Sequence, residues 1–242
     1  MRKRTVMKDN KHFNAKAPTV KAVLLKSALF AGVGVKALDA LLAETPHRVA
    51  DFAKGDVIFH MMDDATVVGI VIDGRVEAQK SFPGGSQVNV SVKGPGELIG
   101  PAAVFSESHR YPCDMVALTP STIMLIGKND LLALMRRDVI ILENMMTEIA
   151  SAAFMLQQRL ELLSYRGIAQ KAAFWLLMAA RREGSSRVRI PGSMTQWALT
   201  MNVSRTSLHR ELKRLYDRGI IAYHPPVIEI LDSGALEAVL GS

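Results

Sequence analysis

Two hydrophobic rhythms divide this chain. Between about Leu24 and Ile126 the pattern is one of short alternating or β-branched runs broken by glycine: Lys54–Phe59, Val67–Val76, Val88–Val92 and Lys93–Gly100. Runs of this length, with turn signals at Asp73-Gly74 and Pro95-Gly96, predict a compact antiparallel barrel or sandwich, a β-roll. From about Asn129 the period becomes that of a helix. Leu142, Met146, Ile149, Ala153, Leu156, Leu160 and Leu163 recur at alternating steps of four and three, which is the spacing of a heptad seam. Such a seam fits a parallel coiled-coil dimer, although a helix buried inside one chain shows similar apolar residues.

Beyond the long helix the pattern changes to two short helices and a hairpin. Ser193 and Gln196 have the spacing of a capping box, so a helix can begin there with its first free N–H groups satisfied. Trp197, Ala198 and Met201 form its buried side, and Asn202 falls where a tight inter-helix turn needs a positive φ. Ser204 can cap a second helix. With Arg205 as zero, His209 lies at about 40°, Lys213 at about 80°, Thr206 at about 100° and Arg210 at about 140°, whereas Leu208, Leu212 and Leu215 cluster at about 280–340°. One face is apolar and the other carries hydrogen-bond donors.

That sorting predicts a helix-turn-helix. A helix of this kind fits the major groove of double-stranded DNA, where arginine pairs with the O6 and N7 atoms of guanine and serine or lysine holds phosphates. Arg205 and Arg210 are the expected readers of guanine, and Ser204, Thr206, His209 and Lys213 complete the expected DNA-binding face. The alternative is a solvated helix on an ordinary globular domain. Downstream, Gly219–Tyr223 and Val227–Ile230 are two β-branched runs separated by His224-Pro225-Pro226, the pattern of a small hairpin or wing.

Charge sharpens this picture. The 242 residues carry a net +7, but residues 1–21 hold seven Lys/Arg against one Asp, residues 22–164 hold twelve against sixteen Asp/Glu, and residues 165–242 hold eleven against six. The basic excess therefore avoids the middle of the chain, and a C-terminal DNA-binding domain accounts for its own share. The basic tail, residues 1–21, is expected to be disordered, either adding phosphate contacts or keeping the chain soluble. No apolar run approaches the roughly 20 residues of a membrane span, and the N-terminus lacks the hydrophobic stretch of a secretion signal. The expected location is the cytoplasm, with no membrane partner.

Candidate chemistry is sparse. The single cysteine, Cys113, excludes an intramolecular disulfide and a four-cysteine iron–sulfur cluster. No H-E-x-x-H, P-loop or G-x-S-x-G pattern occurs, and no nucleophile–base pair is evident by spacing, so the chain does not read as an enzyme. No metal site is expected.

Taken with the order of the elements, the segments Leu29–Val33, Phe52–Phe59, Gly94–Gly100 and Val203-Ser204-Arg205 closely resemble the Crp/Fnr family of bacterial transcription regulators. The resemblance covers nearly everything after residue 22. It implies an α+β fold: an antiparallel β-roll of the cyclic-nucleotide-binding type, a double-stranded β-helix, over residues 22–128; a dimerisation helix over 129–164; and a winged helix-turn-helix over 165–242. It also implies a homodimer on an inverted-repeat site, with a small-molecule effector held in the β-roll against the long helix. Activation would need a surface for RNA polymerase, which no pattern here identifies.

The same resemblance argues against cyclic AMP as the effector. Members that bind it place a glutamate after the Ile-Gly of this loop, where Pro101 stands here, and an Arg-Ser pair where Tyr111-Pro112 stands. A cyclic phosphate thus lacks its bidentate arginine, unless Arg110, one residue away, takes its place. The family's adenine-contacting hydroxyls on the long helix correspond to Ala152 and Ala153. Gly100, Pro101, Ala102, Arg110, Tyr111, Pro112, Ala152 and Ala153 are therefore the effector-pocket candidates, with the effector unknown. Two alternatives stay open: an unliganded, constitutively active β-roll, and a redox or haem sensor. The haem ligands available for such a sensor are His60, His109, Met61, Met62 and Cys113. Cys113 would be oxidisable if His109 and Arg110 favoured its thiolate, or simply a small buried hydrophobe. In the helix-turn-helix, Thr206 replaces the glutamate that family members commonly carry after the arginine at Arg205, so the base opposite it is open.

Overall fold

A computed structural model describes residues 18–81 and 87–241. The chain divides after Ser151 into two compact units.

The first unit opens with α1 (Pro18–Leu25) and α2 (Val35–Glu44), followed by β1 (Arg48–Phe52), β2 (Val57–Phe59), β3 (Val67–Asp73), β4 (Val76–Ser81), β5 (Gln87–Lys93) and β6 (Leu98–Ile99). Then come α3 (Pro101–Phe105), β7 (Asp114–Ala117), β8 (Ser121–Gly127) and α4 (Lys128–Arg137). The strands form two four-stranded sheets, ordered β1-β8-β3-β6 and β2-β7-β4-β5, and their pairings are antiparallel. Both sheets contribute to one core, in which Phe52, Ile58, Ile70, Leu98, Ile123 and Met124 are buried. Val68, Ile70, Val71 and Ile72 of β3 are all buried, which explains why this strand reads as a continuous apolar run and not an alternating one.

The run read as Val67–Val76 is two strands. The chain reverses at Asp73-Gly74, where Gly74 has φ +86° and a Cβ would lie 2.3 Å from Ser121 Oγ. Only glycine fits both the backbone and the space.

The expected tail is shorter than 1–21. α1 starts at Pro18, Leu24 is fully buried, and Lys21 pairs with Asp39 of α2; the rest of the tail lies outside the described residues. The expected helix over 129–164 is also two helices. α4 ends at Arg137, Asp138 takes an extended conformation, and its Oδ1 accepts from the Ile140 N–H at 2.9 Å to start α5 (Val139–Ser164). Ile141 and Met145 of α5 are buried in the first unit's core, and Asn144 donates to the Leu29 and Ala31 carbonyls at 3.0 and 2.8 Å.

The expectation that nothing approaches a membrane span does not hold for α5. By length and composition it could cross one: an 18-residue window has hydropathy 1.5, and 11% of that window is buried. Glu143, Glu148, Arg159 and Glu161 punctuate the same helix, and charged side chains are costly in hydrocarbon.

The second unit comprises α6 (Ile168–Glu183), β9 (Arg187–Arg189), α7 (Met194–Thr200), α8 (Arg205–Asp217), β10 (Ile221–His224), β11 (Val227–Ile230) and α9 (Ser233–Ala238). Its core gathers Ala172, Leu176, Trp197, Leu208, Leu212 and Ile228. The hairpin expected from sequence gains a third strand, β9, giving the order β10-β11-β9.

Candidate nucleic-acid interface and β-roll site

Local chemistry fixes the turn between α7 and α8. Ser193 Oγ accepts from the Gln196 N–H at 3.2 Å while Gln196 Oε1 accepts from the Ser193 N–H at 3.1 Å, so two otherwise orphaned donors are satisfied reciprocally. Trp197, Ala198 and Met201 are buried. Asn202 has φ +53°, the left-handed conformation that its short polar side chain tolerates. Lys171 Nζ on α6 donates to the Met201 carbonyl at 3.2 Å, holding the turn from behind. Ser204 then caps α8, its Oγ accepting from the Ser207 N–H at 3.0 Å.

With that entry set, α8 buries Leu208, Leu212 and Leu215. Ser204, Arg205, Thr206, His209, Arg210 and Lys213 are all exposed on the opposite side. The first turn carries no acidic residue, so nothing competes with an anion for the helix N-terminus. Arg205, His209 and Lys213 form no salt bridge among the described residues, whereas Arg210 Nε lies 3.8 Å from Glu211 Oε1. Glu211 also holds Arg214 at 2.8 Å. Together the six side chains offer two guanidiniums, an ammonium, an imidazole and two hydroxyls to one partner surface.

Sequence reasoning missed Tyr223 on β10. Its ring meets that of His209 edge-on, centroids 6.3 Å apart and planes at 61°. Burial raises its phenol, and the charge of Arg205 partly offsets this. The signal was available only as an aromatic in the predicted wing, since its neighbour on α8 follows from tertiary packing.

In the β-roll, the structure brings Gly100 and Tyr111 together. Tyr111 is 4% exposed. Its hydroxyl donates to the Val67 carbonyl at 2.6 Å and accepts from the Val67 N–H at 3.3 Å, and its ring stacks on Phe59 with centroids 4.4 Å apart. Gly100 has φ +81°, and a Cβ there would come within 3.0 Å of the Tyr111 ring. Pro101 follows as the first residue of α3. Burial pushes the Tyr111 phenol up, so at neutral pH it is a neutral donor.

Arg110 does not take the missing arginine's place. It donates to the Met62 carbonyl at 3.0 Å and pairs with Asp64 at 2.9 Å, which commits it to the 62–64 loop. Ala102 and Pro112 are exposed, and Ala152 and Ala153 are exposed on α5.

The expectation that nearby cations favour a Cys113 thiolate is corrected. Burial raises the thiol and the Asp114 carboxylate raises it further, with Lys80, rather than His109 or Arg110, opposing them. His60, Met62 and His109 are exposed, and His60 Nδ1 lies 3.8 Å from Asp114 Oδ1. Among the described residues no group of three or more His, Cys, Asp or Glu could hold a metal ion.

Along α5, Leu142, Met146, Leu156, Leu160 and Leu163 are between 41% and 62% exposed. Ala153 is exposed too, and Ile149 is partly buried against the first unit's core.

Residues 49–138 match the family described as cyclic nucleotide-binding domain, and residues 170–239 that described as Crp-like helix-turn-helix domain. The chain is 25% identical over 213 residues to the cyclic AMP receptor protein of Thermus thermophilus, covering 88% of this chain and 96% of that protein. It is 22% identical over 219 residues to the CRP-like cAMP-activated global transcriptional regulator of Mycobacterium tuberculosis, again covering 88% and 96%. In fold it is similar to the Thermus thermophilus catabolite activator protein, with TM-score 0.52, 24% identity and coverage of 89% of this chain and 99% of that one. It is likewise similar in fold to FixK2 of Bradyrhizobium japonicum, with TM-score 0.50, 17% identity and coverage of 80% and 97%.

Proposed function

The chain belongs to the Crp/Fnr family of DNA-binding transcription regulators, and from that premise we propose that it acts as a homodimer on an inverted-repeat site and is not controlled by cyclic AMP. The exposed donor face of α8, from Ser204 to Lys213, carries the reading: each dimer presents two such faces, one per half-site. The apolar residues left exposed along α5 support the dimer, because a parallel partner helix with the same heptad seam would cover them. DNA binding by the chain calls for a cytoplasmic location.

Tyr111 supports the negative part. At the sequence position where cyclic-AMP-binding members hold phosphate with arginine stands a phenol that is buried, stacked and doubly hydrogen-bonded to Val67. Pro101 supplies no carboxylate for a ribose, and Arg110 is held by Asp64. The same phenol favours a second reading, in which the β-roll is a scaffold filled by its own side chain and the regulator is constitutively active.

Site selection from a random DNA pool by the full chain, at fixed salt of about 150 mM since affinity falls steeply with salt, tests both parts. The expected product is an inverted repeat with guanine in each half-site, its halves about one helical turn apart, obtained equally with and without added cyclic AMP. Enrichment only in the presence of cyclic AMP overturns the effector reading; single half-sites without symmetry overturn the dimer.

A further inference from the structure

The register of the wing sheet places Tyr223 opposite Ile228, and Ile228 opposite Val188. Because strand residues alternate between faces, Tyr223 shares the inward face with Ile221, Ile228, Ile230 and Val188, all four buried. His224, Val227, Glu229 and Arg189 lie on the other face. Tyr223 is thus the polar member of an apolar row, at the end next to the wing turn. There its ring stands edge-on to His209, and Arg205 lies one helical turn before His209 on α8, close enough in space for side chains to be neighbours.

An exposed arginine loses rotamer freedom when it is fixed. A wall on one side removes part of that freedom before binding, and preorganisation of this kind raises affinity for the partner that fits. The Arg205 charge reaches the Tyr223 phenol, and neither Arg205 nor His209 has a salt bridge among the described residues to hold it elsewhere. Tyr223, edge-on to His209, can act as such a wall.

We infer that Tyr223 is a positioning residue for base reading: from the wing it restricts His209 and Arg205, so the wing sets sequence preference without touching a base. This rests on the reading of α8 as the helix that contacts bases.

The test compares the full-length wild type, Tyr223→Ala and Tyr223→Phe on two duplexes at fixed salt. One is the site selected by the wild type; the other has the guanine facing Arg205 replaced. Tyr223→Ala is expected to narrow the affinity ratio between them by about tenfold, within the discrimination one bidentate pair supplies. Its salt slope and its affinity for random duplex stay unchanged, since the phosphate contacts remain. Tyr223→Phe keeps the ring against His209 and restores most of the ratio. In a double-mutant cycle with His209→Ala, the two losses are expected to be non-additive. If Tyr223→Ala melts early, Tyr223→Leu, which keeps apolar bulk, carries the same expectation. An unchanged ratio in a folded variant, equal weakening on both duplexes, or strict additivity overturns the inference while leaving the DNA reading intact. A wild type that shows no preference between duplexes overturns both.

Discussion

Tyr111 lies flat on Phe59, their ring planes 5° apart, beside Gly100, where a Cβ would crowd both rings. Because the phenol serves both the N–H and the carbonyl of Val67, Tyr111→Phe leaves two strand groups short of a partner. The expected loss is about 1–2 kcal/mol of stability, read as a lower urea midpoint at unchanged slope. Cyclic AMP at millimolar concentration is expected to leave the wild-type melting temperature where it is, since a ligand that binds the folded state must raise it. A rise would sink the reading of a roll without its usual ligand.

What could be seen in the sequence was decided locally. The Ser193–Gln196 box, Asn202 and the Ser204 cap each depend on neighbours three or four residues away, and the structure has all three. Tyr111 depends on Val67, 44 residues distant, so its sequence position suggested only that an arginine was missing, and not that a phenol filled the interior. The break at Asp138 was hidden for another reason: apolar periodicity continues through it, and only the aspartate's bond to Ile140 resets the helix. Lys21 looked like part of a basic tail because its partner, Asp39, sits on a separate helix.

Cys113 and Tyr111 make stability fall at alkaline pH. Both are acids whose folded pKa is raised, chiefly by burial. The folded state therefore keeps protons that the unfolded chain releases earlier. Their contribution is complete below the unfolded thiol value of about 8.5 and is lost as pH rises through the folded values. Urea midpoints measured across that range are expected to decline, and Cys113→Ala to flatten the onset of the decline. Rapid alkylation of the thiol at pH 7 would contradict this account and reopen a redox role.

The α5 stripe predicts assembly. Leu156 and Leu160 are 59% and 62% exposed within one chain, so Leu156→Glu should change the stability of the isolated chain by no more than about 0.5 kcal/mol. In a coiled-coil partnership the same charge is buried in the seam. Sedimentation equilibrium is expected to show a dimer for the wild type and a monomer for the variant, with affinity for a full inverted repeat reduced by about a hundredfold through loss of bivalency. A variant that stays dimeric places the interface elsewhere.

Arg205 and Lys213 lie on one face of α8 yet are expected to fail differently when truncated. Arg205 sits in the first turn, where a recognition helix meets base edges, and it has no salt bridge to give up among the described residues. Arg205→Ala should cost about 1–3 kcal/mol on the selected site and relax the preference at one base position. Lys213, two turns further along, presents a point charge suited to phosphate. Lys213→Ala should weaken all duplexes alike and reduce the salt slope by about one. Arg210 falls between them: reading a guanine requires it to leave Glu211, and a pair 3.8 Å apart whose guanidinium is exposed is worth only about 0–1 kcal/mol, so Glu211→Gln should strengthen site binding slightly. Titrations of the three variants over a range of salt separate these outcomes, and an Arg205 variant that weakens every duplex equally would reassign that residue from base to backbone.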